Sequence, residues 1–368
     1  MSLSAALKGV PYPYRENSLN LFRLVLAATV LLAHSFYTTG NGDGPHLRGE
    51  NLGGWAVAGF FVISGFLITR SRLRSKAGDY LLHRATRIFP AFIVCLIVTA
   101  VLFGPLAMLI QYGSLQGYAT TAVTPVEFVW SNITLYMNEY SIGRTLSELP
   151  YPAVWNGSLW TLYYEFLCYV LVWCLGALAW FRRSAVLSLI IFVVATAAHA
   201  SGSLLTALGL DGSFVLFAKL APFFLGGACV YFVIERLGVN QWLGVSSLAI
   251  AAAQILAIPH WGGQASAPFL AYGLLWLATI IPQPRWVGTN DVSYGFYIYA
   301  WPVQQLLVLI GLGAGDGALG FVVYNLVAIL VTFSLAWLSW TLIERPAMNR
   351  IRRRPAAPER VSGSGTSL

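Results

Sequence analysis

The sequence predicts an all-α integral membrane protein with ten transmembrane helices and both termini cytoplasmic, and three observations carry that reading. The 368-residue chain is 57% hydrophobic and 10% charged, where a soluble domain carries about 25% charged residues. Its apolar residues fall into ten runs long enough to cross a bilayer. Its cations gather in the connections on one side of those runs, as the positive-inside rule requires. The 35 Gly and 13 Trp fit the same picture. Gly lets membrane helices approach closely, and Trp anchors at the interface.

The runs lie near 19–38, 52–69, 88–110, 155–180, 185–201, 213–234, 241–258, 266–282, 291–312 and 319–343. The first comes after Lys8 and Arg15 and looks superficially like a signal peptide. No small-x-small cleavage site succeeds it, because His34 interrupts Ala33 and Ser35, so it reads as a retained span. Between the third and fourth runs, Pro125 to Met137 is apolar and aromatic and reads as an interfacial or re-entrant helix on the outer side.

With ten spans, all but three of the 22 Lys and Arg share the side of the termini. The exceptions are Arg48, Arg144 and Lys219, and the connections around them carry Asp43, Glu50, Glu127, Glu139, Glu148, Asp211 and Asp316. The net charge of +8 is therefore a topology signal and not a nucleic-acid footprint. The module runs from 1 to 346, and the Arg-, Ser-, Gly- and Pro-rich stretch 347–368 reads as a disordered cytoplasmic tail. Cys95, Cys168, Cys174 and Cys229 all fall in apolar runs without metal or CxxC spacing, and read as small buried hydrophobes. No HExxH, GxSxG or P-loop motif is present, and no metal site is expected.

Four constellations could carry chemistry. Arg23 and His34 stand eleven residues apart in the first span, which places them on one helix face about 16 Å apart along the axis. A charge at the bilayer centre costs roughly 2.5–3.5 kcal/mol, so such residues mark functional sites. His is also suited to proton transfer near neutral pH. Against this, Arg23 could snorkel and His34 could cap the span's outer end. The second constellation is the inner loop 70–87, with Arg70, Arg72, Arg84 and Arg87 among its six cations. Arg84 and Arg87 share a helix face and could grip phosphate as a fork, with plain positive-inside topology as the bland alternative. The third is Asn156 to Phe166, where Ser158, Trp160 and Tyr164 could line a sugar cleft and Glu165 needs a partner or a proton. The fourth is Ser293 to Pro302, in which Tyr294 belongs to an aromatic half-helix interrupted by Pro302. His46, His83, His199 and His260 receive no role.

At these residues the chain resembles the acyltransferase 3 family of polytopic membrane acyltransferases. The resemblance runs in family order through Asn17-Ser-Leu-Asn-Leu-Phe-Arg23 to His34, and Gly59-Phe-Phe-Val-Ile-Ser-Gly-Phe-Leu-Ile68. It continues through Arg84-x-x-Arg87-Ile-Phe-Pro90, Gly157-Ser-Leu-Trp-Thr-Leu-x-x-Glu165-Phe, Ser293-Tyr-Gly-x-Tyr297 and Ile343-Glu-Arg-Pro346. Two departures stand out. Asn20 occupies a position where Asp is common, which removes a nearby carboxylate for Arg23, and Ala300 occupies one where His is common.

The resemblance is to the membrane module alone, without the secreted hydrolase-like domain fused to some members. It implies transfer of an acyl group, usually acetyl, from cytoplasmic acetyl-CoA or another acyl-CoA to a hydroxyl of a glycan, lipopolysaccharide or glycolipid. His34, Arg23 and Glu165 would be catalytic, with His34 as general base or as a transient acyl carrier, and Arg84, Arg87, Arg70 and Arg72 would hold the CoA phosphates. Trp160, Tyr164, Ser158 and Tyr294 would meet the acceptor. No permanently bound cofactor is implied, and a bacterial cytoplasmic membrane fits. The partners are then acyl-CoA, the glycan and membrane lipids, with a homo-oligomer left open. The rival reading is a glycolipid transporter or flippase with His34, Arg23 and Glu165 as coupling residues.

Overall fold

The computed structural model describes residues 8–313 and 317–352 and is almost entirely helical. Each of the ten apolar runs coincides with a helix. In chain order we label α1 (Leu19–Thr38), α2 (Leu52–Leu73), α3 (Ala77–Tyr112), α4 (Pro125–Asn132), α5 (Trp160–Leu175), α6 (Ala179–Arg183) and α7 (Val186–Ala200). Next come α8 (Gly202–Ala207), α9 (Gly212–Leu237), α10 (Gln241–Ala257), α11 (Gly262–Ile280), α12 (Arg285–Thr289), α13 (Ser293–Leu309) and α14 (Gly317–Ile351). By length and apolar composition, α1, α2, α3, α9 and α14 each suffice to cross a membrane, and α5, α7 and α10 are shorter apolar helices. Large aliphatic side chains such as Val101, Leu326, Leu330 and Leu342 stand outward on these helices. Water would penalise such a surface and lipid would not.

Two ends can be told apart. At the basic end, Ser18 bonds the Ala278 carbonyl, Asn20 bonds the Val287 carbonyl, and Val10 bridges Val239. At the opposite end, Thr38 meets Tyr324, Glu50 meets Lys219, and a small hairpin pairs β1 (His46–Leu47) with β2 (Glu50–Asn51). Helices α1, α2, α9 and α13 form the core. Close approach of α2 and α9 depends on glycine, since a side chain at Gly65 would strike the Phe224 carbonyl and one at Gly227 the Val62 carbonyl.

The structure changes several expectations. The basic stretch 70–87 is not a loop, because α2 runs to Leu73 and α3 begins at Ala77, so only residues 74–76 connect them. Pro302 does not interrupt α13. Proline removes one backbone donor and frees the carbonyl four residues earlier. That carbonyl, Ile298, accepts from the Cys95 thiol at 3.4 Å. Cys174 is exposed, whereas Cys95, Cys168 and Cys229 are buried. The interfacial segment expected over Pro125 to Met137 contributes the shorter α4, closed at its start by a Thr124–Glu127 capping box. The last helix continues to Ile351, so the expected tail begins as helix. Arg353, Arg354 and Arg360, like Asp316, lie outside the described residues.

Candidate active site

His34 lies on α1 in a cavity of about 210 Å³. Its walls include Tyr37, Asn51, Gly157, Ser158, Trp160 and Trp301. The imidazole packs against the edge of Trp301, with ring centroids 4.7 Å apart. Nδ1 is buried without a hydrogen-bond partner among the described residues, which leaves Nε2 as the nitrogen that can face the cavity. Trp301 is itself fixed. Its Nε1 donates to the Val154 carbonyl at 2.9 Å, and Gly157 lies so close to the indole that a methyl group there would collide with it. Behind His34, Gln304 donates to the Leu31 carbonyl at 2.9 Å and to Ser35 Oγ at 2.8 Å, and Ser35 donates to Asn325 at 2.5 Å. This buried polar network holds the α1 turn that carries His34. Asn156 is completely buried, and neither of its amide atoms finds a partner among the described residues.

Toward the basic end lies a second, tighter cavity of about 40 Å³, lined by Arg23, Phe60, Glu165, Ser293 and Tyr294 among others. Val57, Thr161 and Tyr297 line both cavities and form the partition between them. Tyr297 fixes the partition, sharing a 2.5 Å hydrogen bond with Thr161 and donating to the Ser158 carbonyl at 2.9 Å. Ser158 reaches the Tyr297 carbonyl at 3.4 Å. Glu165 accepts from Ser64 at 2.7 Å and from Tyr169 at 2.6 Å. Among the described residues it forms no ion pair.

Arg23 does have a carboxylate partner, and sequence reasoning missed it. Asp291 accepts from Arg23 at 2.6 Å and from Arg87, also at 2.6 Å. Arg87 in turn pairs with Glu344 at 2.9 Å, and Ser293 and Ser339 donate to the two carboxylates. The Glu344 side chain is 1% exposed. Asp291 supplies from α13's start what Asn20 cannot, while Asn20 ties α1 to the Val287 carbonyl. The available signal was an acid standing just before Ser293-Tyr-Gly, in a basic region with few carboxylates.

The four arginines expected to hold phosphates divide into two kinds. Arg87 is committed to Asp291 and Glu344. Arg72 is 2% exposed and donates to the Trp173 carbonyl at 3.1 Å, tying the end of α2 to the end of α5. The guanidiniums of Arg84 and Arg70 make no hydrogen bond or ion pair among the described residues, although Arg70 stacks 3.6 Å over the Tyr14 ring. Of the expected acceptor residues, Ser158 and Trp160 line the His34 cavity and Tyr294 lines the tighter one, where its hydroxyl donates to the Ile88 carbonyl. Tyr164 lies in a separate pocket of about 290 Å³ that also touches Trp160. Among the described residues no group of three or more His, Cys, Asp or Glu is placed to hold a metal ion.

Comparison with known proteins bears on this geometry. Residues 16–341 match the acyltransferase domain family. An O-acetyl transferase of Shigella phage Sf6 is 30% identical over 92% of this chain and 97% of its own length. Nodulation protein 10 of Rhizobium leguminosarum bv. viciae is 30% identical over 90% of this chain and 93% of its own. No solved structure matches.

Proposed function

The chain belongs to the acyltransferase 3 family and is a membrane acyltransferase, and from that premise we propose that it carries an acetyl group from cytoplasmic acetyl-CoA to a hydroxyl of a glycan or glycolipid. The observation that carries this reading is the pair of abutting cavities, with Arg23 and Glu165 in one and His34 in the other. The basic end faces the cytoplasm of a bacterial cell with all ten helices crossing its inner membrane, as the segregation of cations favours. Arg84 and Arg70, whose guanidiniums have no acidic partner among the described residues, hold the CoA phosphates. Arg23 keeps donors free beyond the one it gives Asp291, and offers them to the pantetheine arm.

An extended arm reaches His34 across about 16 Å of helix. The tighter cavity has room for about one water molecule, so α2, α5 and α13 must part to admit the arm. At His34, Nε2 takes the proton of the acceptor hydroxyl while the hydroxyl oxygen attacks the thioester carbonyl. The tetrahedral intermediate collapses with cleavage of the carbon–sulfur bond, and the imidazolium returns the proton to the CoA thiolate. His34 does this without a carboxylate behind it, since Nδ1 has no partner. Shielding within the bundle limits loss of the thioester to water.

Purified protein in nanodiscs, assayed for acetyl-CoA binding and slow hydrolysis, tests the proposal. Wild type should do both, and His34→Ala should bind normally while turnover falls by about 100-fold or more. Full turnover in His34→Ala would remove the base. Absence of acyl-CoA binding by wild type would instead favour glycolipid transport.

A further inference from the structure

A large cavity lies next to the His34 cavity. It encloses about 700 Å³ at the same end of the bundle, and Arg48, Glu50, Trp55, Lys219, His260 and Trp261 are among its walls. Gly54 lines both cavities, so the larger one opens beside His34. Its volume lies in the range of ligand-binding clefts.

Its charges are unusual for their place. Arg48 and Lys219 are two of the three cations that the sequence puts on the outer side. The third, Arg144, is elsewhere, stacked 3.8 Å over Tyr112. Lys219 pairs with Glu50 at 2.6 Å. Arg48 has no carboxylate partner among the described residues; its guanidinium meets the Leu256 carbonyl. Arg48 and Lys219 against Glu50 leave one net positive charge among the cavity's Arg, Lys and Glu. Arg48 and His260 also sit at φ 53° and 64°. Side-chain-bearing residues avoid this left-handed region, and such conformations cluster at functional sites. Trp261 is 38% exposed, and its indole offers a flat apolar surface beside the cations.

We propose that this cavity is the acceptor site and that it selects an acidic glycan, one whose sugar carries a carboxylate or phosphate. The inference rests on the acyl-transfer reading above and adds the acceptor class. The acid group pairs with Arg48 and competes with Glu50 for Lys219. The sugar ring lies on Trp261, and the reacting hydroxyl reaches past Gly54 to His34.

The full chain in nanodiscs should be titrated with tri-galacturonic acid and with its neutral methyl ester. The acid should bind about fivefold more tightly than the ester, the scale of one or two partly solvated charge pairs. Arg48→Gln combined with Lys219→Gln should bring the acid down to the affinity of the ester, with ester binding kept as the mark of a folded cavity. Glu50→Gln should move the acid the other way, to tighter binding, because it frees Lys219. Equal binding of acid and ester, binding of neither, or acid binding indifferent to all three substitutions would overturn the proposal. Hydrolysis of acetyl-CoA by the same wild-type preparation reports separately on the acyl-transfer reading. If it is absent while charge-selective sugar binding persists, that reading fails and the anionic site does not.

Discussion

Arg84 and Arg87 stand three residues apart on α3 and have opposite surroundings. Arg87 is held between Asp291 and Glu344, and through Asp291 it is linked to Arg23. Removing one member of a buried ion pair strands its partner in low dielectric, typically at a cost of about 3 kcal/mol or more. Arg87→Ala should therefore lower the thermal unfolding temperature in detergent strongly, with Asp291→Ala close to it. Arg84 has no such partner among the described residues. Arg84→Ala should leave the unfolding temperature near that of wild type and raise the Michaelis constant for acetyl-CoA roughly tenfold, the worth of one charge-assisted hydrogen bond. A Michaelis constant unmoved by Arg84→Ala would take the phosphate role from it. Equal loss of stability in both variants would show that Arg84 is structural too.

Helix geometry explains how Glu344 reaches this cluster. In α14 the turn Trp340–Glu344 is a π-turn, with one residue more than an α-turn would hold. The extra residue rotates the remainder of α14 by about 100° relative to a regular helix. That rotation brings Glu344 inward beside Arg87 and Gly295, while Leu342 in the same turn is 70% exposed. Deleting Leu342 should close the π-turn to regular α-helix with Glu344 still facing inward, because the residue lost is the one the turn accommodates. The expected result is an unfolding temperature near that of wild type, against a clear drop for Glu344→Ala. A drop as large as that of Glu344→Ala would mean that the turn does more than absorb one residue.

Such a turn has no composition signature, which is why the sequence shows Ile343-Glu-Arg-Pro346 as a motif but not where its carboxylate points. The same limit applies to Arg70–Arg87. A dense run of cations reads as a loop because charge lowers hydropathy, yet Arg72 and Arg87 are spent within helices on the Trp173 carbonyl and on two acids. Periodic apolar patterns were legible because the helix repeat forces them, so α1 and α2 fall where hydropathy puts their starts. The Arg23–His34 alignment was legible for the same reason. Asp291 was not, because its two arginine partners lie more than 200 residues away in sequence.

At the scale of the whole molecule, the two cavities divide one path across the bundle. Val57 from α2, Thr161 from α5 and Tyr297 from α13 form the partition, so the proposed passage of an acyl group from the Arg23 side to His34 would need three helices to part. Cooperative parting of packed helices is a discrete rearrangement and not a gradual widening, because close-packed interiors deform little. In the proposed reaction it would also keep the thioester from water until the acceptor is in place. Val57→Trp would fill the partition from the α2 side while leaving His34, Arg84, Arg23 and Asp291 unsubstituted. Acetyl-CoA binding should survive in this variant, while transfer and hydrolysis fall together on the order of 100-fold, the cost of holding reacting groups out of register. Hydrolysis and transfer persisting at wild-type rates would show that the acetyl group reaches His34 by another route. Loss of binding as well would place the CoA arm beyond the partition in the resting state.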